Sequence, residues 1–182
     1  MYLYGEGVNQ DYAKAVHSFT LAADQGLAEA QMGLGLLYSN DIGVDQDYDM
    51  ALQYYRMAAD QGLGEAQVNL GRMYYNGEGV DKDYGKAVHY FTLAADQGDA
   101  QAQFNLGLMY LYGEGVEQDY GKAAHYFTLA ADQGAAQAQF KLGVMYYNGE
   151  GVDEDEAEAR RWFEMAAEQG FEPAQQALES IG

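Results

Sequence analysis

The chain contains no cysteine, a single proline and few basic residues. The absence of cysteine excludes disulfides, a thiolate nucleophile and any cysteine-based metal site. With Pro173 as the only proline, the sequence is compatible with a helix-rich fold. Apolar runs stay well short of the roughly 18–20 residues that a membrane span needs, and no signal-peptide pattern is visible. We therefore expect a soluble chain with no membrane partner, and its localisation stays open.

Basic residues are also scarce relative to acidic ones. Nine Lys and Arg side chains stand against 29 Asp and Glu side chains, which gives a formal net charge of −20. Such a surface repels polyanions, so we expect no nucleic acid partner. A basic protein or peptide is favoured electrostatically. Simple solubility is the alternative explanation of the charge.

What the sequence does have is a strict period of 36 residues. Two series of glycines mark this period: Gly7, Gly43, Gly79, Gly115 and Gly151, and Gly26, Gly62, Gly98, Gly134 and Gly170. A period of this length is typical of stacked supersecondary units that share a continuous core. We therefore interpret residues 1–182 as a single array of about five repeats, with no room for a separate catalytic domain.

One period, residues 77–112, predicts two helices. The glycine-rich segment 77–80 is interpreted as a loop, and Asp83 has the side chain of a helix N-cap. Apolar residues at helical spacing predict one helix over 84–97 and another over 100–111. The same N-cap position is occupied by Asp11, Asp47, Asp119 and Asp155.

A glycine in the middle of the helix over 100–111 also recurs. Gly107 has equivalents at Gly35, Gly71 and Gly143. A glycine inside a helix costs about 1 kcal/mol relative to alanine. Its repetition predicts that two helix backbones approach each other closely at this point.

This helix-turn-helix unit resembles the Sel-like repeat (SLR) family, the tetratricopeptide-like α-solenoids. The resemblance rests on the spacing of Ala102, Leu106, Gly107, Met109, Tyr110, Gly113, Gly115, Val116, Asp119, Ala123, Ala130, Ala131 and Gly134, and it covers the whole chain. It implies an all-α, right-handed superhelical solenoid of 36-residue repeats, with adaptor or scaffold roles. It further implies that the helix over 100–111 is a first helix of its unit, and that first helices line a concave face. Relatives that cross-link each repeat through cysteines differ from this chain.

The two ends depart from the repeat. Residues 1–4 align with residues 109–112, so we interpret them as the remnant of a truncated first helix in a fragment of a longer array. An engineered repeat array is the alternative. The truncated N-terminus predicts end-to-end self-association through an unpaired helix face. Residues 173–182 match another first helix and are interpreted as a C-terminal capping half-repeat.

Differences between repeats suggest where a partner binds. Residues 77–112 and 113–148 differ at only 8 of 36 positions, and four of these lie on or at the end of the first helix. Residues three and four apart share a helix face, so the variable positions form one stripe. We predict a partner-binding stripe of Val68, Asn69, Arg72, Tyr75, Asn76, Gln101, Phe104, Asn105, Leu108, Leu111, Tyr112, Phe140, Lys141, Val144, Tyr147 and Asn148. The alternative is that Phe104 and Phe140 face the core or the neighbouring repeat and that the variation marks mere tolerance.

Residues capable of chemistry are spaced rather than clustered. His17, His89 and His125 occupy equivalent positions on separate helices, too far apart to share one zinc ion. Segment 77–79 lacks the Lys-Ser/Thr of a phosphate loop. The acidic run at residues 153–156 is explained by helix capping, with Asp155 and Glu158 spaced as a capping pair. Weak attraction of Ca²⁺ is its alternative. We expect no catalytic, cofactor or metal site.

The function that these patterns favour is a non-catalytic scaffold or adaptor that binds a peptide or protein segment in its concave groove. A hydrolase-type enzyme is an alternative, but it would need titratable groups converging in one pocket. An inert or engineered repeat scaffold without a natural ligand is a further alternative, because neighbouring repeats are nearly identical.

Overall fold

The computed structural model describes residues 12–181, except for the side chain of Ala13. Over this range the chain forms ten α-helices and no strand, which confirms the all-α prediction. The helices are α1 Tyr12–Ala23, α2 Ala28–Ser39, α3 Tyr48–Asp60, α4 Gly64–Asn76, α5 Tyr84–Asp96, α6 Ala100–Tyr112, α7 Tyr120–Asp132, α8 Ala136–Asn148, α9 Glu156–Glu168 and α10 Glu172–Ser180. The proposed helix remnant at residues 1–4 and the proposed N-cap Asp11 lie outside the described residues.

The chain divides into two compact units, Met1–Tyr90 and Phe91–Gly182, and the division falls within α5. Even-numbered helices are the first helices of their repeats and odd-numbered helices are the second. In the first unit α2 packs on α3 within one repeat, and α1–α2 and α3–α4 pack between repeats. In the second unit α6 packs on α7 and α8 on α9, and the contacts α7–α8 and α9–α10 join successive repeats.

Each unit buries the apolar face of its helices. In the first unit Tyr55 of α3 packs in a cluster with Leu70 and Met73 of α4. In the second unit Phe127 of α7 is buried with Leu142 and Met145 of α8. Burial of each such side chain contributes roughly 1.5–3 kcal/mol, so packing between helices, rather than helix propensity, stabilises these short elements.

The last helix, α10, continues the same packing with fewer apolar residues. It begins with Pro173 in its first turn, where proline removes no helical hydrogen bond. Ala174 is buried, and Leu178 and Ile181 pack around the cluster that contains Phe163. Residues 173–182 thus occupy the place of a first helix, and their role as a cap stays a prediction.

The recurring first-helix glycine makes room for an aromatic ring. A Cβ atom built on Gly107 would lie 2.5 Å from Cε1 of Phe127, and one on Gly143 would lie 2.7 Å from Cδ1 of Phe163. The close approach predicted from the repetition is therefore mainly that of a helix backbone to a ring on the second helix. This ring is a phenylalanine or, at Tyr55, a tyrosine facing Gly35.

Aspartate side chains cap the second helices α3, α5, α7 and α9, as predicted. The Oδ1 atom of Asp119 accepts a hydrogen bond from the Lys122 backbone N–H at 2.9 Å, and Asp155 caps α9 in the same way. The reciprocal half of the predicted pair Asp155–Glu158 does not form. The Asp155 N–H already donates to the Tyr146 carbonyl at 2.9 Å, and the Glu158 carboxylate pairs with Arg161 at 3.1 Å.

A repeated glutamine pair joins successive helices. In the second unit the buried Gln139 of α8 donates to the Ala131 carbonyl of α7 at 3.2 Å and accepts from the Gln169 amide at the end of α9 at 2.8 Å. Gln103 makes the equivalent bonds to Ala95 and Gln133. The pair satisfies a buried amide from both sides, which removes the cost of burying it unpaired.

Candidate partner-binding surface

In the first unit the predicted stripe lies on α4 and is largely polar. Val68 is only 8% exposed and belongs to the core, so it offers little surface to a partner. Arg72 and Asn76 are exposed, and Asn69 is half-buried. Tyr75 is half-buried beside Tyr84, with 5.3 Å between ring centroids.

In the second unit the apolar members of the stripe on α6 are partly used for packing. Phe104 is half-buried, and its ring centroid lies 5.7 Å from that of Phe127 on the second helix. Leu108 and Leu111 are likewise half-buried against the surrounding core. Gln101 is exposed and Asn105 half-buried. Tyr112 is 58% exposed and is the most accessible aromatic ring of this helix.

The stripe on α8 repeats this division between packing and accessible side chains. Phe140 lies between two rings, at centroid distances of 5.6 Å from Phe163 and 5.5 Å from Phe171. Lys141 and Val144 are half-buried, whereas Tyr147 is 42% exposed and Asn148 is exposed. The alternative explanation of Phe104 and Phe140 as packing residues thus agrees with their contacts. The exposed members of the stripe are two tyrosines, three amide side chains and Arg72.

Part of the stripe borders a recess in each unit. In the first unit a recess of about 300 Å³ is lined by Leu36, Ser39, Asn40, Tyr48, Tyr55, Asn69, Arg72, Met73 and Glu78. In the second unit a recess of about 290 Å³ is lined by Leu111, Tyr112, Gln118, Tyr120, Lys141, Val144, Met145 and Glu150. Most of these residues correspond across two periods, such as Asn69 with Lys141 and Arg72 with Val144. Each unit therefore has an equivalent recess between two of its first helices, and the side chains that line it differ.

The first-unit recess is polar, and one of its polar groups is the hydroxyl of the buried Tyr55 ring. Tyr55 occupies the position of Phe91, Phe127 and Phe163 in the other repeats. Its hydroxyl and that of Ser39 share a hydrogen bond of 3.0 Å. Burial raises the pKa of Tyr55, while the bond to Ser39 and the Arg72 charge act in the opposite direction.

Amide side chains hold the polar lining of this recess in place. The Asn40 amide donates to the Leu36 carbonyl at 2.8 Å and to the Ser39 hydroxyl at 2.9 Å. The Asn69 amide donates to the Glu65 carbonyl at 3.0 Å. Ser39, Asn40, Tyr55 and Glu78 were absent from the predicted stripe. The change from phenylalanine to tyrosine at position 55 was the available signal.

The second-unit recess is more apolar. Leu111 stands where the first unit has Ser39, and Val144 stands where it has Arg72. Tyr120 is exposed, and its hydroxyl accepts a hydrogen bond from Gln118 at 3.3 Å. The two recesses are similar in volume but present different side chains.

Groups that could suggest other chemistry remain dispersed. Within residues 12–181 no three His, Asp or Glu side chains come close enough together to hold a metal ion. His89 and His125 lie edge-on to Tyr90 and Tyr126, at centroid distances of 5.2 Å and 5.4 Å. None of the described helices combines the length and apolar character needed to cross a bilayer.

Comparison with known proteins accounts for the repeat. The Sel1 repeat family model matches residues 1–27, 28–63, 64–99, 100–134 and 136–171. From the second match onward, each begins at or next to the start of a first helix and contains the second helix that follows. A search among curated proteins found no match.

Solved structures with the same fold confirm the solenoid class. The chain is similar to c5321, a protective antigen of uropathogenic Escherichia coli with an SLR fold, at 39% identity and a TM-score of 0.95; the match covers 99% of this chain and 38% of that protein. It is also similar to a Sel1 repeat protein of Oxalobacter formigenes, at 37% identity and a TM-score of 0.93, covering 100% of this chain and 74% of the other.

A more distant relative is the cysteine-rich protein B of Helicobacter pylori, at 28% identity and a TM-score of 0.59, covering 73% of this chain and 96% of that one. Sel1 repeat proteins in general are protein–protein interaction scaffolds. With five family matches, helix pairs at the same boundaries and two relatives above 35% identity, the chain belongs to the Sel1 repeat family.

Proposed function

We propose that this chain is a non-catalytic scaffold that holds an extended peptide or protein segment along its first helices. The observation that carries the proposal is the pair of equivalent recesses bordered by the predicted stripe. Each recess can accept a side chain of such a segment, and amide side chains of the stripe can hydrogen-bond its backbone. Exposed Tyr112 and Tyr147 supply rigid aromatic surface of the kind that dominates binding energy at interfaces.

The side chains around the polar recess support binding rather than catalysis. The Ser39 hydroxyl contacts the Leu36 carbonyl, the Tyr55 hydroxyl and the Asn40 amide. None of these groups is a general base that would activate a serine nucleophile. The recess therefore offers hydrogen bonds and charge, and the partner supplies the complementary groups.

A paired pull-down from a cell lysate tests the proposal. The first bait is the native chain, and the second carries Tyr112→Ala and Tyr147→Ala, which remove exposed rings and leave the core intact. A control bait carries Leu93→Ala and Leu129→Ala, which remove exposed leucines from second helices. We expect the native and control baits to retain the same partners. The tyrosine variant should bind those partners at least about tenfold more weakly.

Circular dichroism of all three baits must first show equal helix content. Equal retention of every partner by the tyrosine variant would contradict binding at the stripe and would move recognition to the acidic exterior. A basic partner, which the net charge favours, would be released by salt well before an apolar one.

End-to-end self-association is a separate proposal. In the described part of α1 and its following turn, Leu21 and Leu27 are each 52% exposed and border a recess of about 610 Å³. A second copy that covers these leucines would bury apolar surface. Light scattering over a concentration series should then show a mass above 20.0 kDa, with Leu21→Glu restoring the monomer. A constant monomer mass would refute association.

A further inference from the structure

We propose that both recesses bind carboxylate groups, supplied by aspartate or glutamate side chains of the bound segment. Arg72 receives the carboxylate in the first unit and Lys141 receives it in the second. This inference rests on the proposed scaffold function and names the chemistry of the partner at the same surface.

The chain has nine cationic side chains, and all of them lie within the described residues. Three of them, Lys86, Lys122 and Arg161, form ion pairs with acidic side chains. Arg56 donates a hydrogen bond to the Tyr74 hydroxyl, and Arg160 donates one to the Ile181 carbonyl. Lys82 lies over the Tyr84 ring, and Lys14 also has a partner. Among residues 12–181, Arg72 and Lys141 are the cations that make neither a hydrogen bond nor an ion pair nor a ring contact.

The position of these two cations in the recesses is stronger evidence for a binding site than their lack of partners. With 29 acidic side chains available, an exposed cation easily finds an acid, and such pairs are individually weak. Yet both unpaired cations line the recesses, one in each unit. They arise from different repeat positions, because Arg72 corresponds to Val144 and Lys141 to Asn69. Positions three apart share a helix face, so α4 and α8 each direct a cation to the recess of their unit from a different turn of the helix.

In the first-unit recess the neighbouring amide groups already form hydrogen bonds, so Arg72 is the main donor that remains for a ligand. The Asn40 and Asn69 amides are already bonded to carbonyl groups. The Arg72 guanidinium retains its donors, and its planar geometry matches a carboxylate with two parallel hydrogen bonds. Lys141 offers a point charge beside the more apolar lining of Val144 and Leu111. A glutamate of the bound segment suits this lining, because its methylene groups can contact Val144 and Leu111 while its carboxylate pairs with the Lys141 ammonium group.

Each recess also contains a glutamate, which restricts the ligand further. Glu78 accepts a hydrogen bond from the Asn76 amide at 2.9 Å, and no ion pair joins Glu78 to Arg72 or Glu150 to Lys141 in the described chain. These carboxylates and the net charge of −20 repel a run of acidic residues. Charges separated by more than about 8–10 Å are screened at physiological salt. A single carboxylate inside the recess is therefore attracted mainly by the cation beside it. The favoured segment carries isolated acidic residues between neutral or basic ones.

Selection from a library of random short peptides displayed on phage tests this inference. Three proteins serve as targets: the native chain, a variant with Arg72→Gln and Lys141→Gln, and a control with Lys86→Gln and Lys122→Gln. The control loses the same charge from second-helix lysines that already pair with Asp83 and Asp119. We expect peptides selected on the native chain and on the control to be enriched in isolated Asp or Glu. The same peptides should bind the Arg72/Lys141 variant about tenfold more weakly.

Two results would overturn the inference, and they are distinguishable. The selected peptides are also measured against the Tyr112→Ala/Tyr147→Ala variant. If they lose affinity for that variant, but carry no excess of acidic residues or bind the Arg72/Lys141 variant equally well, the scaffold function stands and carboxylate recognition is wrong. If the native chain selects no peptide at all, the extended-segment scaffold fails and this inference fails with it. Restored binding by Arg72→Lys with Lys141→Arg would show that the positive charge itself is required.

Discussion

A methyl group added at Gly107 would meet the Phe127 ring, since its Cβ would lie 2.5 Å from Cε1. Alanine improves helix propensity by about 1 kcal/mol over glycine, but displacement of a buried ring costs more. We expect Gly107→Ala to lower the free energy of unfolding by about 1–3 kcal/mol in urea denaturation.

The control for this substitution is Gly121→Ala on α7. The Cβ atom added there would meet only the Asp119 carboxylate oxygen, at 3.4 Å. Gly121→Ala should leave stability unchanged or raise it by up to about 1 kcal/mol. Equal destabilisation by both substitutions would show that the ring contact is not the cause.

The buried hydroxyl of Tyr55 predicts a specific response to alkaline pH. Burial raises the pKa of Tyr55 above its usual 10.0, so the folded state holds this proton more tightly than the unfolded state. The resulting stability is fully present below the unfolded pKa and is lost as pH rises through the folded pKa. Thermal unfolding between about pH 8 and 11 should show a smaller alkaline loss for Tyr55→Phe than for the native chain.

Near neutral pH the same variant lacks the hydrogen bond to Ser39. Tyr55→Phe should therefore be less stable there by about 1 kcal/mol. The comparison variant is Tyr54→Phe. Burial also raises the pKa of Tyr54, but this residue does not line the recess. Parallel alkaline curves for Tyr55→Phe and the native chain would contradict the proposed role of the buried hydroxyl.

The second helices depend on their aspartate N-caps. Asp119 accepts the Lys122 N–H at 2.9 Å and also pairs with the Lys122 ammonium group at 3.7 Å. Asp119→Ala should destabilise the protein by about 0.5–2 kcal/mol, because it leaves a helix N–H unsatisfied. Asp119→Asn keeps an acceptor and loses only an exposed ion pair, so it should cost less than about 1 kcal/mol. Equal losses would assign the effect to charge rather than to the cap.

Helix positions could be predicted closely because their signals are local. The expected helix over 84–97 is observed as Tyr84–Asp96, and the helix over 100–111 as Ala100–Tyr112. Glycine and aspartate define these ends through backbone conformation and capping, which depend on a few neighbouring residues. Gly77, the first residue of the segment interpreted as a loop, ends α4 with a φ angle of 79°.

The accessibility of the stripe could not be predicted in the same way. Helical periodicity places Phe104 and Tyr112 on one face, but it does not say which ring another helix covers. Phe104 is half-buried because Phe127 of α7 lies beside it, whereas Tyr112 at the end of α6 is exposed. The recesses likewise combine residues of separate helices and loops, so their lining depends on tertiary packing.

For the molecule as a whole, the repeat predicts that equivalent glutamine pairs contribute equally. Gln103→Ala and Gln139→Ala each remove two hydrogen bonds of a buried amide, so each should lower the free energy of unfolding by about 1–3 kcal/mol. Gln137→Ala, at an exposed position of α8, should change stability by less than about 0.5 kcal/mol. Clearly unequal losses for Gln103 and Gln139 would contradict equivalent junctions.

The glutamine pair also bears on how such a gene changes. Each pair requires only the same two glutamine side chains and the same backbone carbonyl group on the neighbouring repeat. Recombination between gene segments that encode such repeats can therefore add or delete a whole repeat in frame, and each junction built on this pair retains its bonding partners. Copy number becomes a heritable variable that evolution can alter in a single step, and each added copy is free to diverge at the few positions that determine what it recognises.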